Sequence, residues 1–237
     1  MKKQHWLFLL VFTLVLLVGI ISAILFRINL PSFTPLDENI FSIPVWIEPD
    51  FGDENESFLN LTGKDVVSQA ELAVIVTPTG IRHATSYATL SEVKVEQVLK
   101  ENGTVTAGDI IFVYEAPVAE PSKLVLLNGF HTFMKEGRSY LLLLNFYQRP
   151  DDWSYSEENL KTYLLIDGYY GQFPINEPKF MIVHESDVNG KPYPPYSEIA
   201  DYDCAYMLLE GDTPESNSFR KNYTRLREEL LVFFEKS

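Results

Sequence analysis

Apolar and polar positions divide the chain into three regimes. Trp6 to Phe26 runs 21 residues without a charge, between Lys2-Lys3 and Arg27. A helix of that length reaches about 30 Å, the thickness of a bilayer's hydrocarbon core. Lipid offers backbone groups no partner, so the run predicts a helical anchor over residues 6–26. A cleaved signal peptide is the alternative. Lys2 and Lys3 suit one, but Ser22-Ala23 is a poor cut site because Ile21 stands where a small residue is preferred.

The second regime is a tether, residues 27–65. It carries Pro31, Pro35, Pro44 and Pro49 and an acidic cluster from Glu48 to Glu56, which extend and stiffen a spacer. Ile43-Pro44-Val45-Trp46-Ile47 is apolar enough to pack back on the domain.

The third regime is a succession of short β-patterns over residues 66–186. Leu72 to Val76 is a compact apolar strand, read as stopping at Thr77-Pro78-Thr79-Gly80. Tyr87 to Val98 alternates, with Thr89, Ser91, Val93 and Val95 on one face and Glu92, Lys94 and Glu96 on the other, the period of a half-exposed strand. Further strands are expected at Ile110–Tyr114, Lys123–Leu127, Tyr140–Tyr147, Thr162–Ile166, Gly171–Ile175 and Phe180–His184. This many short strands predict a mainly β fold, an antiparallel barrel closed or nearly so. Residues 187–237 are an aromatic and proline-rich loop followed by a helix. Phe219, Tyr223, Leu226, Leu230 and Phe233 recur on one helical face, with a start expected at Thr213-Pro214.

Charge narrows the partners. Two lysines precede the span and one arginine follows it, which places residues 1–5 in the cytoplasm and the domain outside the cell membrane. Setting aside Lys2, Lys3 and Arg27 leaves 19 − 3 = 16 basic residues against 33 acidic ones, a net charge of −17. Such a domain repels nucleic acid. Cys204 is the sole cysteine, so the exported part holds together without an internal disulfide. The sequons at Asn55, Asn60, Asn102 and Asn222 matter only in a glycosylating pathway.

The strings SYATLSEVKVEQVLKENGTVTAGDIIFVYE, FMKEGRSYLLLLNFY and YLLIDGYYGQF carry a resemblance. The Val93 to Lys100 strand, the Gly108-Asp109 turn, Met134 to Leu142 and Gly171 to Phe173 resemble a recurrent extracytoplasmic domain of bacteria, chiefly Gram-positive species. Domains of this kind look like OB-fold barrels of the netrin/TIMP-like type. The resemblance spans about Gln69 to Ile175. It implies a fold and carries no catalytic residue, since its glycines and apolar positions serve turns and core.

The chemistry of sites is sparse. His5, His83, His131 and His184 lack metal-ligand spacing and read as surface or partly packed residues. Asp151-Asp152 with Glu157-Glu158, Asp187 to Gly190, and Asp201 with Asp203 fit no calcium-loop spacing. Cys204 with His131 or His184 as base is a conceivable nucleophile, but its acidic neighbours favour a buried structural thiol. No cofactor, metal ligand or catalytic residue is assigned.

A surface is the better candidate. RPDDWSY around Trp153 and Tyr155, and GKPYPPYSEIADYDCAY with Tyr193 and Tyr196, join aromatics to proline and acid. Rings with polar tips suit recognition of a protein or glycan. The reading the sequence favours is that these loops wrap the barrel and bury their own aromatics. The expectation is a membrane-anchored, extracytoplasmic accessory module docking a partner protein or envelope component. An envelope hydrolase or transferase with an unrecognised carboxylate site is the rival.

Overall fold

The structure is a computed structural model. It describes residues 12–13, 15–22, 34–35, 42–47, 60–84, 88–101, 103–115, 117–120, 123–126, 131–147, 161–184, 193–208, 213 and 217–236. The chain divides into two compact units, Met1–Thr34 and Pro35–Ser237. In the first, residues 12–13 and 15–22 are helical, and Leu16, Leu17, Val18, Ile20 and Ile21 are exposed. Among the described residues, no helix is long and apolar enough to cross a membrane.

The second unit is mainly β. Its core is a closed barrel of β2 (Leu72–Ala84), β3 (Thr89–Lys100), β4 (Ile110–Glu115), β7 (Tyr140–Phe146) and β8 (Thr162–Leu165). They are ordered β2-β3-β4-β8-β7, and β7 returns to pair with β2. The expected all-antiparallel ring is corrected at one seam. β4 and β8 run parallel, with Val113 opposite Tyr163. β9 (Gln172–Pro174) adds to β7.

Alternation builds the interior. Leu72, Val74 and Val76, Val93 and Val95, Ile111 and Val113, Leu142 and Leu144, and Tyr163 point inward and form one buried cluster. Burying each such side chain stabilises the fold by roughly 1.5–3 kcal/mol. These side chains occupy the barrel interior.

The strand expected to stop at Thr77-Pro78-Thr79-Gly80 continues to Ala84. Pro78 pairs with Val93 and Arg82 with Ser91, so β2 advances four residues while β3 advances two. Gly80 takes φ +87 there. The turn signature marks a bulge that bends the strand at a barrel corner, not its end.

Two helices cover the β2–β7 seam. α1 (Gly63–Gln69) is capped by Thr62, whose side chain accepts from Asp65 N while the Asp65 carboxylate accepts from Thr62 N. This capping box starts a helix too short for its apolar period to be read. α3 (Ser218–Glu235) starts at Asn217, whose Oδ1 accepts from Arg220 N at 3.0 Å, and not at Thr213 as expected. Thr213 serves one turn upstream, accepting the Asn217 N–H through its carbonyl. Tyr223, Leu226 and Leu230 of α3 pack with Val66 and Val67 against Leu141, Leu143 and Phe173.

The expected tether is not all spacer. β1 (Pro44–Ile47) lies between β11 (Tyr193–Pro195) and β6 (Lys123–Leu126), and β5 (Val118–Glu120) completes that sheet. Val45 is fully buried. α2 (Tyr196–Ile199) follows β11, and β12 (Cys204–Leu208) pairs in parallel with β10 (Phe180–His184). The last region therefore returns two strands to the body of the fold.

Candidate functional site

Three buried polar clusters bear on catalysis. Glu115, inward at the end of β4, accepts Met134 N–H at 2.6 Å, an Arg82 Nε contact at 3.3 Å and the Ser91 hydroxyl. Arg82 also donates to the Met134 carbonyl and stacks over Phe133, 5.1 Å from the ring centre. The carboxylate is thus fully engaged in fixing the Phe133-Met134 backbone across the barrel end.

Asp203 plays a similar part nearby. Arg138 Nη1 lies 2.8 and 3.0 Å from its two oxygens, Lys135 Nζ 3.2 Å from one, and Lys179 N–H 2.8 Å from the other. Burial pushes the Lys135 ammonium below its ordinary range, against the attraction of Asp203. The calcium reading of Asp201 with Asp203 does not hold for Asp203, whose oxygens already serve four protein contacts. Among the described residues no group of histidine, cysteine and carboxylate side chains could hold a metal ion.

The third cluster joins the residues singled out for nucleophilic chemistry. Cys204 Sγ lies 3.4 Å from His131 Nδ1, and Nε2 lies 3.2 Å from the Tyr169 carbonyl. A carbonyl only accepts, so Nε2 carries the ring proton and Nδ1 receives the thiol hydrogen. Burial lowers the His131 imidazole to about 4, opposed by the Tyr169 carbonyl and Asp203. Burial likewise pushes the Cys204 thiol up. Both partners are neutral, and both are closed from solvent. The pair is a packed hydrogen bond, and His131 is a core residue rather than the surface or partly packed histidine expected. His184 is exposed on β10 and lies away from this pair.

The aromatic surface is redistributed. Tyr196 is buried, its ring edge-on to Phe133 at 5.3 Å and its hydroxyl accepting Phe133 N–H at 3.1 Å. It belongs to the wrapping that the sequence favoured for this loop, as does buried Tyr206. Tyr193 lies on β11, but its side chain falls outside the described residues, as do Trp153 and Tyr155 altogether. Among the described residues, outward apolar side chains lie on the outer face of β4 and β8.

There Ile110, Phe112 and Tyr114 point outward while Ile111, Val113 and Glu115 point in. Leu164 lies beside Tyr114, and the Tyr147 ring meets Tyr114 edge-on at 5.4 Å. Ile110 and Leu164 are 39% and 38% exposed. Two bordering ion pairs form, Lys94 with Glu96 at 3.4 Å and Lys161 with Asp109 at 2.9 Å, while Glu92 stands directly across from Phe112 on the same face. An acidic protein thus carries here an apolar stripe with a charged rim. IIFVY is apolar at every position, so alternation could not say which half faces out. The signal lay in its neighbour, where Glu92, Lys94 and Glu96 mark the solvent side.

Comparison with known protein families, curated proteins and solved structures finds no match to this chain.

Proposed function

We propose that this protein is a membrane-anchored, extracytoplasmic docking module whose β4–β8 stripe binds a partner protein of the cell envelope. The observation that carries it is the outward Ile110–Phe112–Tyr114–Leu164 surface, with Ile110 and Leu164 exposed, Phe112 and Tyr114 half-buried, and two ion pairs at its rim. Trp153 and Tyr155 belong to the segment joining β7 to β8, which leaves from Tyr147 and returns at Lys161, both bordering the stripe. Trp153, Tyr155 and Tyr193 remain candidates from the sequence, Tyr193 on β11.

The anchor rests on the uncharged run from Trp6 to Phe26 and on helical residues that expose leucine, isoleucine and valine. The OB-like reading is supported by ring order: numbering barrel strands one to five, the circuit is 1-2-3-5-4 with the third and fifth parallel. Glu115 and Asp203 give no support to a carboxylate hydrolase, since each is engaged by cations and backbone N–H groups.

Photocrosslinking amino acids at Ile110, Leu164 and, as a control on α1, Lys64 test this in intact cells. The expected result is one shared protein adduct from positions 110 and 164, lost when Phe112→Glu is added and never formed from position 64. Equal adducts from position 64, or none from the stripe, sink the reading.

A further inference from the structure

The last turn of α3 departs from the pattern of the rest. Up to Leu230 its apolar residues return on one face, and Tyr223, Leu226 and Leu230 are all buried. Leu231-Val232-Phe233-Phe234 is then apolar on every side, more than a face packed on a barrel requires. Phe234 packs on the cluster beneath the helix, and Phe233 meets it edge-on at 5.1 Å. Val232 and Phe233 remain 46% and 40% exposed.

We infer that Val232 and Phe233 seat in the headgroup–acyl boundary of the bilayer that anchors the chain. This rests on the anchor reading. The occupant follows from the chain itself: the folded unit begins at Pro35, so the eight residues from Arg27 to Thr34 are all that join the predicted span to it. Fully extended they reach at most about 30 Å. A unit held on so short a leash meets the bilayer at high effective concentration, and lipid is the apolar partner the leash guarantees. An aromatic beside an aliphatic side chain is the composition that settles at a membrane interface.

Charge selects the lipid. Around the turn Glu228, Glu229 and Glu235 are balanced by Arg225, Arg227 and Lys236, and Glu229 is held by Gly63 N–H at 2.7 Å and by Arg225 at 2.8 Å. The net charge of the whole protein, −14, then suits a zwitterionic surface and disfavours an anionic one. Orientation follows as well. α3 covers the β2–β7 seam, whereas β4 lies across the ring from it. With the end of α3 on the bilayer, the stripe is left open to a partner.

The test uses the full chain in phosphatidylcholine nanodiscs, with single-cysteine variants Phe233→Cys and Lys94→Cys carrying an environment-sensitive dye. Cys204 is buried, so labelling is confined to the introduced thiol. The expected result is a blue shift and several-fold stronger quenching by doxyl lipid at position 233 than at position 94, and loss of that contrast when anionic lipid replaces phosphatidylcholine. Equal quenching at both positions overturns the inference, as does protection of position 233 by a second copy crosslinked through it. If the chain fails to enter nanodiscs at all, the anchor reading falls and takes this one with it. Entry without quenching at position 233 removes this inference alone.

Discussion

Acid should destabilise this protein through His131, by an amount set by the burial of its ring. The ring is buried among Cys204, Tyr223 and the Tyr169 carbonyl, and burial lowers its proton affinity to about 4 against an ordinary 6.5. The unfolded chain therefore takes up a proton at a pH where the native state does not. Stability contributed by the neutral ring is fully present above about pH 6.5, falls as pH drops through that value, and stops falling below about 4, where both states are protonated. The whole window is worth (6.5 − 4) × 1.36, about 3 kcal/mol, of which roughly 2 kcal/mol is gone by pH 5. Asp203 is the nearby charge, already held by Arg138 and Lys135. Urea unfolding of the full chain in detergent at pH 7.5, 6, 5 and 4 measures the loss. Carboxylates contribute too, so the comparison is with His131→Gln, which retains a donor and an acceptor but does not titrate. The variant should start less stable and lose less on acidification, with the two curves converging towards pH 4. Parallel curves would refute the reasoning, as would an imidazole that titrates near 6.5 by NMR in the folded protein.

Three further outcomes follow from the same packing. Asp203→Asn leaves Arg138 and Lys135 without their counter-charge and should cost roughly 3 kcal/mol in denaturant titration, comparable to a core truncation such as Leu142→Ala. The Cys204 thiol should resist alkylating reagents in the native state and react at the rate of unfolding, so fast modification without urea would contradict its burial. Gly80→Ala should cost more than about 1 kcal/mol, because φ is +87 and the added carbon meets the Glu136 carboxylate. Adding Glu136→Ala should recover the steric part and leave the backbone part.

Local pattern carried much of the fold. The outward Glu92, Lys94 and Glu96 and the inward Val93 and Val95 made β3 legible, because each residue's environment is set by its own strand. The face of α3 was legible for the same reason up to Leu230, although Phe233, read as part of it, is exposed. What escaped depended on distant partners. β1 reads as tether until Val45 meets Leu124 and Tyr193, and the parallel pairing of β10 with β12 has no local mark at all. His131 and Cys204 stand 73 residues apart, so nothing in either neighbourhood announced their hydrogen bond. Pro78 and Gly80 misled differently: the residues that break a strand are also those that bulge one.

The pairing of β1 with β11 sets when this protein can finish folding. β1 is synthesised early in the folded unit, yet one of its neighbours is residues 193–195. The contact between Gly63 and Glu229 spans 166 residues and waits longer still. At a synthesis rate of about 5–20 residues per second, the early strand and the β2–β7 seam stand open for on the order of ten seconds before their covers emerge. Non-local closure of this kind also slows the final step. The interval is a window in which apolar strands are available to chaperones, proteases and one another. A truncation that removes α3 would make that window permanent.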